Sequence, residues 1–227
     1  MSLSIFYTAH IRGDLALLPP LYTFLKSLRA DLAQFAPEDE AEVMQCAVQP
    51  PSARTLLLDL GDSCAPDVWH CTATEGRSTL IALDAMGYHA ANVTGILSAE
   101  SRAKLAENAM GMALVDFDHP WQDQGMILST FSPNMRPSAD TLAGLSKLHI
   151  SVTADTTTRM IGHLLYLARV ESGQVGTAYI GGTDSDPQLL ADAVFDLPAN
   201  TPPDPTISGT VDFVTNEARF FAKRHGE

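Results

Sequence analysis

The stretch Thr55-Leu56-Leu57-Leu58-Asp59-Leu60-Gly61-Asp62 is apolar throughout its centre except for Asp59, and it ends on a glycine-acid pair. A run of this length without polar alternation describes a strand covered on both faces, which is the pattern of a central strand in a parallel sheet. Working back, Ile5 to Thr8 is a second short apolar run, closed by polar residues and Gly13. Between the two lies an amphipathic segment. Leu21, Phe24, Leu25, Leu28, Leu32 and Phe35 recur at helical spacing behind Pro19 and Pro20, which a first helical turn tolerates. Strand, helix, strand is a βαβ unit.

Working forward, Thr72 to Met86 reads as a helix stopped by Gly87, His89 to Val93 as a strand, and Ala99 to Met110 as another helix. This alternation predicts a largely parallel sheet. The second half changes character. Met112 to Val115, Met126 to Thr130, Leu148 to Val152, Met160 to Val170 and Gln174 to Ile180 all read as strands, with Glu171-Ser172-Gly173 as a hairpin turn between the last two. Pro187 to Phe195 reads as a short helix, Pro198 to Pro205 as an extended connection, and Val211 to Lys223 as a closing amphipathic helix. Ala36 to Arg54 reads as a surface connection with a short strand near Val43 to Val48.

These elements fit one domain, residues 4–227. A chain of 227 residues lies within the range of single folds, and 45% hydrophobic with 18% charged residues is an ordinary globular balance. The formal net charge of -13 repels phosphate backbones and anionic lipid surfaces, so no nucleic acid and no membrane partner is expected. A small anion in a locally basic pocket remains compatible with it. Residues 1–18 show neither a basic leader nor a long apolar span, and the expected location is cytoplasmic. Met1-Ser2-Leu3 reads as an expression scar. Three cysteines, Cys46, Cys64 and Cys71, are odd in number and without CxxC spacing, and they read as free structural thiols.

Three segments carry chemistry: Tyr7-Thr8-Ala9-His10-Ile11-Arg12-Gly13-Asp14, Leu57-Leu58-Asp59-Leu60-Gly61-Asp62, and Ala82-Leu83-Asp84-Ala85-Met86-Gly87-Tyr88-His89-Ala90 with its continuation Thr94-Gly95-Ile96-Leu97. In order and spacing they resemble metallophosphoesterases of the 5'-nucleotidase type over residues 5–98, and more loosely over 148–183. The resemblance implies an α/β sandwich of two sheets flanked by helices, trimmed in the middle, and a vestigial dinuclear metal site. In that family an Asp-x-His, a Gly-Asp and a Gly-Asn-His-Glu supply ligands. Two divalent cations about 4 Å apart then clamp the phosphoryl oxygens and activate a bridging water.

Here only Asp62 keeps the family's type. His10 stands at the first Asp position and Arg12 at the His position, and a guanidinium has no lone pair for a metal. Gly95 stands at the Asn position and Ile96 at the catalytic imidazole. The vestigial site is therefore His10, Arg12, Asp62 and Gly95, with Asp59 behind it. No metal is expected, His10 and Asp62 being the weak candidates, and no cofactor; an active form would need a divalent metal such as Mn, Fe or Zn.

The resulting expectation is a pseudo-phosphoesterase that binds a protein partner or assembles. The alternatives are a phosphoester hydrolase with a reduced metal site at His10 and Asp62, and a sensor of small anions or nucleotides at Arg12. Asp67, His70, His89 and His119 match no ligand motif and read as surface residues. Thr156-Thr157-Thr158-Arg159 and Gly181-Gly182-Thr183-Asp184 read as turns.

Overall fold

A computed structural model describes residues 2–34, 54–107, 110–130 and 146–225. Phe35 and the expected strand near Val43 to Val48 lie outside the described residues, as does Cys46. The elements in chain order are β1 (Leu3–Thr8), α1 (Leu18–Gln34), β2 (Arg54–Asp59), α2 (Trp69–Ala73), α3 (Arg77–Ala85), β3 (Ala90–Asn92), α4 (Ala99–Glu107), β4 (Ala113–Val115), β5 (Trp121–Asp123) and β6 (Met126–Ser129). There follow β7 (Leu148–Asp155), β8 (Arg159–Ile161), β9 (Leu164–Ala168), β10 (Gln174–Thr183), β11 (Asp186–Asp196) and α5 (Pro205–His225).

Among the described residues these form two sheets, six strands in the order β11-β10-β1-β2-β3-β4 and five in the order β5-β6-β7-β9-β8. β1 to β4 run parallel, as the βαβ reading requires, while β10 and β11 are antiparallel additions. β1 and β2 are buried on both faces because alternate residues enter two different cores. Phe6 and Leu57 face the helices with Leu21, Leu25, Leu80, Leu83 and Val214. Leu3, Ile5, Tyr7, Leu56 and Leu58 face the second sheet, against Leu128, Ile150, Val152, Leu165 and Leu167. The expected α/β sandwich of two sheets flanked by helices is thus present; among the described residues the helices cover one face of the six-stranded sheet and the second sheet covers the other. Asn92 bridges the sheets by donating from Nδ2 to the carbonyls of Leu60 (3.1 Å) and Val152 (3.0 Å).

Four local expectations are corrected. The single helix over Thr72 to Met86 is two helices, because Gly76 sits at φ 84, and a Cβ there would come within 2.8 Å of the Ile96 carbonyl. Met160 to Val170 is two strands, β8 and β9, folded back at Gly162-His163. Glu171-Ser172-Gly173 does turn the chain, with the Gln174 amide donating to the Glu171 carbonyl at 3.0 Å, but it carries the chain from one sheet to the other. The hairpin is the next pair, β10 with β11, joined by Asp184-Ser185, and so Pro187 to Phe195 is strand. β11 is an edge strand, where Pro187 costs no inner hydrogen bond.

The closing helix begins earlier than its apolar pattern, at Pro205. Asp204 accepts from the amides of Thr206 (2.9 Å) and Ile207 (3.1 Å), an N-cap followed by proline at the first helical position. Lys26 of α1 pairs with the same carboxylate at 2.5 Å, which fastens α5 to α1.

Candidate functional site

The parallel register of β1 and β2, Leu3 opposite Arg54 through Thr8 opposite Asp59, brings the two C-terminal loops side by side. Ends of parallel strands are where α/β proteins place their sites. The pairing continues beyond the strands. The Leu60 amide donates to Thr8 O (2.8 Å), His10 to Gly61 O (3.0 Å), Arg12 to Asp62 O (2.9 Å) and Gly13 to Ser63 O (2.9 Å). Along this irregular ladder His10, Arg12 and Asp62 hold left-handed backbone, at φ 55, 53 and 57. Such conformations cost non-glycine residues about 1 kcal/mol or more apiece, and the ladder is what sustains three of them together.

The strained backbone turns three polar side chains toward one another. His10 Nδ1 lies 3.0 Å from Asp62 Oδ2, and Arg12 Nη1 lies 3.6 Å from the same oxygen. Arg12 Nη2 also lies 3.9 Å from Asp67, a residue that sequence reading assigned to open surface. The Arg12 side chain is 59% exposed, so water screens both of its ion pairs and they contribute little to stability. Gly95 is placed elsewhere. It lies at the rim of a 260 Å³ cleft shared with Ile96, Cys64, Cys71, Glu75 and Gly76, and none of His10, Arg12 and Asp62 lines that cleft.

Asp59 is wholly buried one turn of chain below the cluster. Among the described residues its two oxygens have no full hydrogen bond, although the Gly61 amide and Ser63 hydroxyl are close enough to soften its isolation. Burial therefore dominates and pushes its carboxyl up to about 8. It bonds to no residue of the cluster and so does not orient it. Beside it the fully buried Tyr88 shares a 2.8 Å hydrogen bond with Thr8.

Cys64 and Cys71 form a disulfide, Cα to Cα 5.7 Å, which corrects their reading as free thiols. Pro66 and Asp67 turn the chain between them so that α2 returns Cys71 toward Cys64; proximity in sequence across a turn was the available signal. His70 is likewise not a surface residue. It is buried, with Nε2 2.8 Å from Gly13 O and Nδ1 2.9 Å from Ser78 Oγ, and burial pushes its pKa down. His89 is half-buried and its Nδ1 accepts from the Leu57 amide at 3.0 Å, while exposed His119 pairs with Asp116.

The donors at the strand ends do not fit a dinuclear metal centre. One imidazole and one carboxylate are hydrogen-bonded to each other, a guanidinium stands beside them, and Gly95 and Ile96 bring no ligand atom. Each metal would need about four ligands or more.

No family model and no curated protein matches the sequence. Among solved structures the chain is similar to the calcineurin-like phosphoesterase YfkN from Bacillus subtilis, at 10% identity over 98% of this chain and 99% of that one, with a TM-score of 0.46. Among the described residues, no helix is long and apolar enough to cross a membrane.

Proposed function

We propose that the chain is a hydrolytically silent, metallophosphoesterase-like protein that works by binding a partner rather than by cleaving a phosphoester. The observation that carries this reading is the Asp62 carboxylate. The one residue that keeps the ligand type the resemblance implies is hydrogen-bonded to His10 and approached by the Arg12 guanidinium, so its carboxylate already has side-chain partners. A guanidinium and an imidazole can orient an oxygen-rich group, but they cannot lower the pKa of a water as a pair of divalent metals does.

The test is bis-nitrophenyl phosphate hydrolysis on unreduced protein after incubation with manganese, iron or zinc, with metal content measured on the same sample. We expect no metal-dependent turnover, and the same background from wild type, His10→Ala and Asp62→Ala. Turnover that requires metal and disappears in both variants would replace this reading with that of a hydrolase having a reduced site.

A second reading, a sensor of small anions, is favoured by Arg12 alone. Its guanidinium is mostly exposed and its contacts of 3.6 and 3.9 Å exceed hydrogen-bond length, so its N–H groups can serve an incoming oxyanion. Against it stand the two neighbouring carboxylates, Asp62 and Asp67. If it holds, phosphate or a nucleotide at a hundredfold excess over its Kd stabilises the fold by about 2.7 kcal/mol, and Arg12→Ala removes the shift in melting temperature. No shift with any phosphate rejects it.

A further inference from the structure

We propose that Cys64, His70 and Cys71 form, once their disulfide is reduced, a three-ligand site for a thiophilic divalent cation of the zinc class, and that oxidation to the disulfide expels the metal. The site is separate from the His10 cluster, and the proposal does not rest on the chain being hydrolytically silent.

The three side chains are buried, and one potential ligand atom from each lies within 4.8 Å of the others. Tetrahedral zinc with thiolate and imidazole ligands places its donors about 3.5 to 3.8 Å apart, given bonds of about 2.3 and 2.0 Å. Breaking the disulfide frees the two sulfurs to reach that spacing, and the third ligand is already close.

His70 has the surroundings of a metal-binding imidazole. Its Nε2–H donates to the Gly13 carbonyl at 2.8 Å, an arrangement that fixes the tautomer and leaves the lone pair on Nδ1. That Nδ1 and Cys64 Sγ both converge on the buried Ser78 hydroxyl, at 2.9 and 3.9 Å, with Thr79 Oγ1 3.4 Å from the same sulfur. In the oxidised protein the Ser78 hydroxyl donates to Nδ1; with a cation there, both hydroxyls can turn to donate to the thiolate. Gly13 lets the loop close over the group. At φ 80 it is left-handed, and a Cβ there would stand 2.8 Å from Cys71 Sγ and 3.2 Å from the His70 ring.

Access and the open coordination position come from the 260 Å³ cleft, which both cysteines line. Three protein ligands and one position toward solvent are the pattern of zinc sites that bind water or a further ligand, whereas a closed structural site would have four. The redox step balances with ordinary cellular reagents. A dithiol reductant transfers two electrons to the disulfide and becomes a disulfide itself, giving two protein thiols. The cation then displaces two protons. Hydrogen peroxide in turn takes two electrons from the bound thiolates and, with two protons, leaves two waters, the disulfide and the free cation.

The experiment uses the full chain carrying Cys46→Ser, reduced with a dithiol, desalted without oxygen and titrated with cobalt(II). One cobalt per chain with thiolate-to-metal charge-transfer absorption and tetrahedral d–d bands is expected. Zinc should displace it, and stoichiometric peroxide should abolish the bands and release zinc to a chromogenic chelator. The unreduced protein, of identical sequence, should show none of this, and near-UV circular dichroism of the reduced chain checks that it stays folded without the disulfide. Adding Cys64→Ser, Cys71→Ser or His70→Gln should each cause loss of stoichiometric binding. A reduced protein without the thiolate band, or a band that survives when Cys64 and Cys71 are both replaced, overturns the proposal. Phosphodiester hydrolysis, read separately on unreduced protein, leaves this result unchanged whichever way it falls.

Discussion

Replacing Asp59 by asparagine is expected to abolish a loss of stability that the wild-type chain suffers as the pH rises from about 4 to about 8. The carboxyl is fully buried without a full hydrogen bond and is pushed up to about 8 in the folded chain, against an ordinary value of 3.8. Below both values the folded and unfolded chains hold the proton alike, and the group has no effect. Between them the folded chain keeps a proton that the unfolded chain has released, so unfolding is favoured by about 1.4 kcal/mol for each pH unit. Above about 8 both forms are ionised and the loss is complete, at roughly 6 kcal/mol.

Asparagine keeps the shape and cannot ionise. The difference in unfolding free energy between variant and wild type, from urea melts across this range, should therefore climb with pH and then level. The chain's net charge of -13 adds a background pH dependence, but it acts nearly equally on both proteins and cancels in the difference. Parallel curves would mean that Asp59 is ionised and paired.

The parallel βαβ strands and the helix layer were legible because burial on two faces writes itself as unbroken apolar runs, as in Thr55 to Leu60, and burial of one helical face as 3.6-residue spacing, as in Leu21 to Leu28. What sequence reading missed lies where two structures share one pattern. Pro187 to Phe195 carries a proline start and apolar residues that fit a short helix equally well. Its strand identity is decided by pairing with β10, a contact that no local spacing displays. Likewise a turn signal such as Glu171-Ser172-Gly173 fixes a reversal, but not whether the next strand joins the same sheet.

The candidate site was legible in part. His10, Arg12 and Asp62 were singled out through the motif resemblance, and they lie together because each follows a strand end and β1 pairs in parallel with β2. Gly95 follows β3, one strand further on, and lines a different cleft. Cys64, His70 and Cys71 were passed over because their proximity depends on a helix of five residues and on contact with the Gly13 loop, 57 residues away from His70. Exposure was misjudged at His70 for want of those partners.

Gly176→Ala is expected to be among the most damaging single substitutions available in this chain, and it separates a steric requirement for glycine from a conformational one. Gly176 of β10 pairs directly with Tyr7 of β1, and a Cβ built on it would overlap the Tyr7 ring at Cζ, Cε2 and the hydroxyl. The ring cannot retreat. Tyr7 is completely buried between the two sheets, and its hydroxyl lies 3.4 Å from Thr158 Oγ1, which itself accepts from the Ala168 amide of β9. Forcing a methyl into such packing costs about 3 kcal/mol, even though alanine is the better strand residue by roughly 0.5–1 kcal/mol on entropic grounds. Gly95 supplies the contrast. It is left-handed at φ 75 with none of the described residues within 4 Å of a Cβ, so Gly95→Ala should cost only the backbone term, about 1 kcal/mol. If the Gly176 defect is overlap with one ring, shrinking the ring should relieve it. In Tyr7→Leu the added methyl at Gly176 should then be tolerated, with a favourable coupling of about 2 kcal/mol in the double-mutant cycle. Strictly additive losses in urea melts would place the requirement in the backbone of β10 instead.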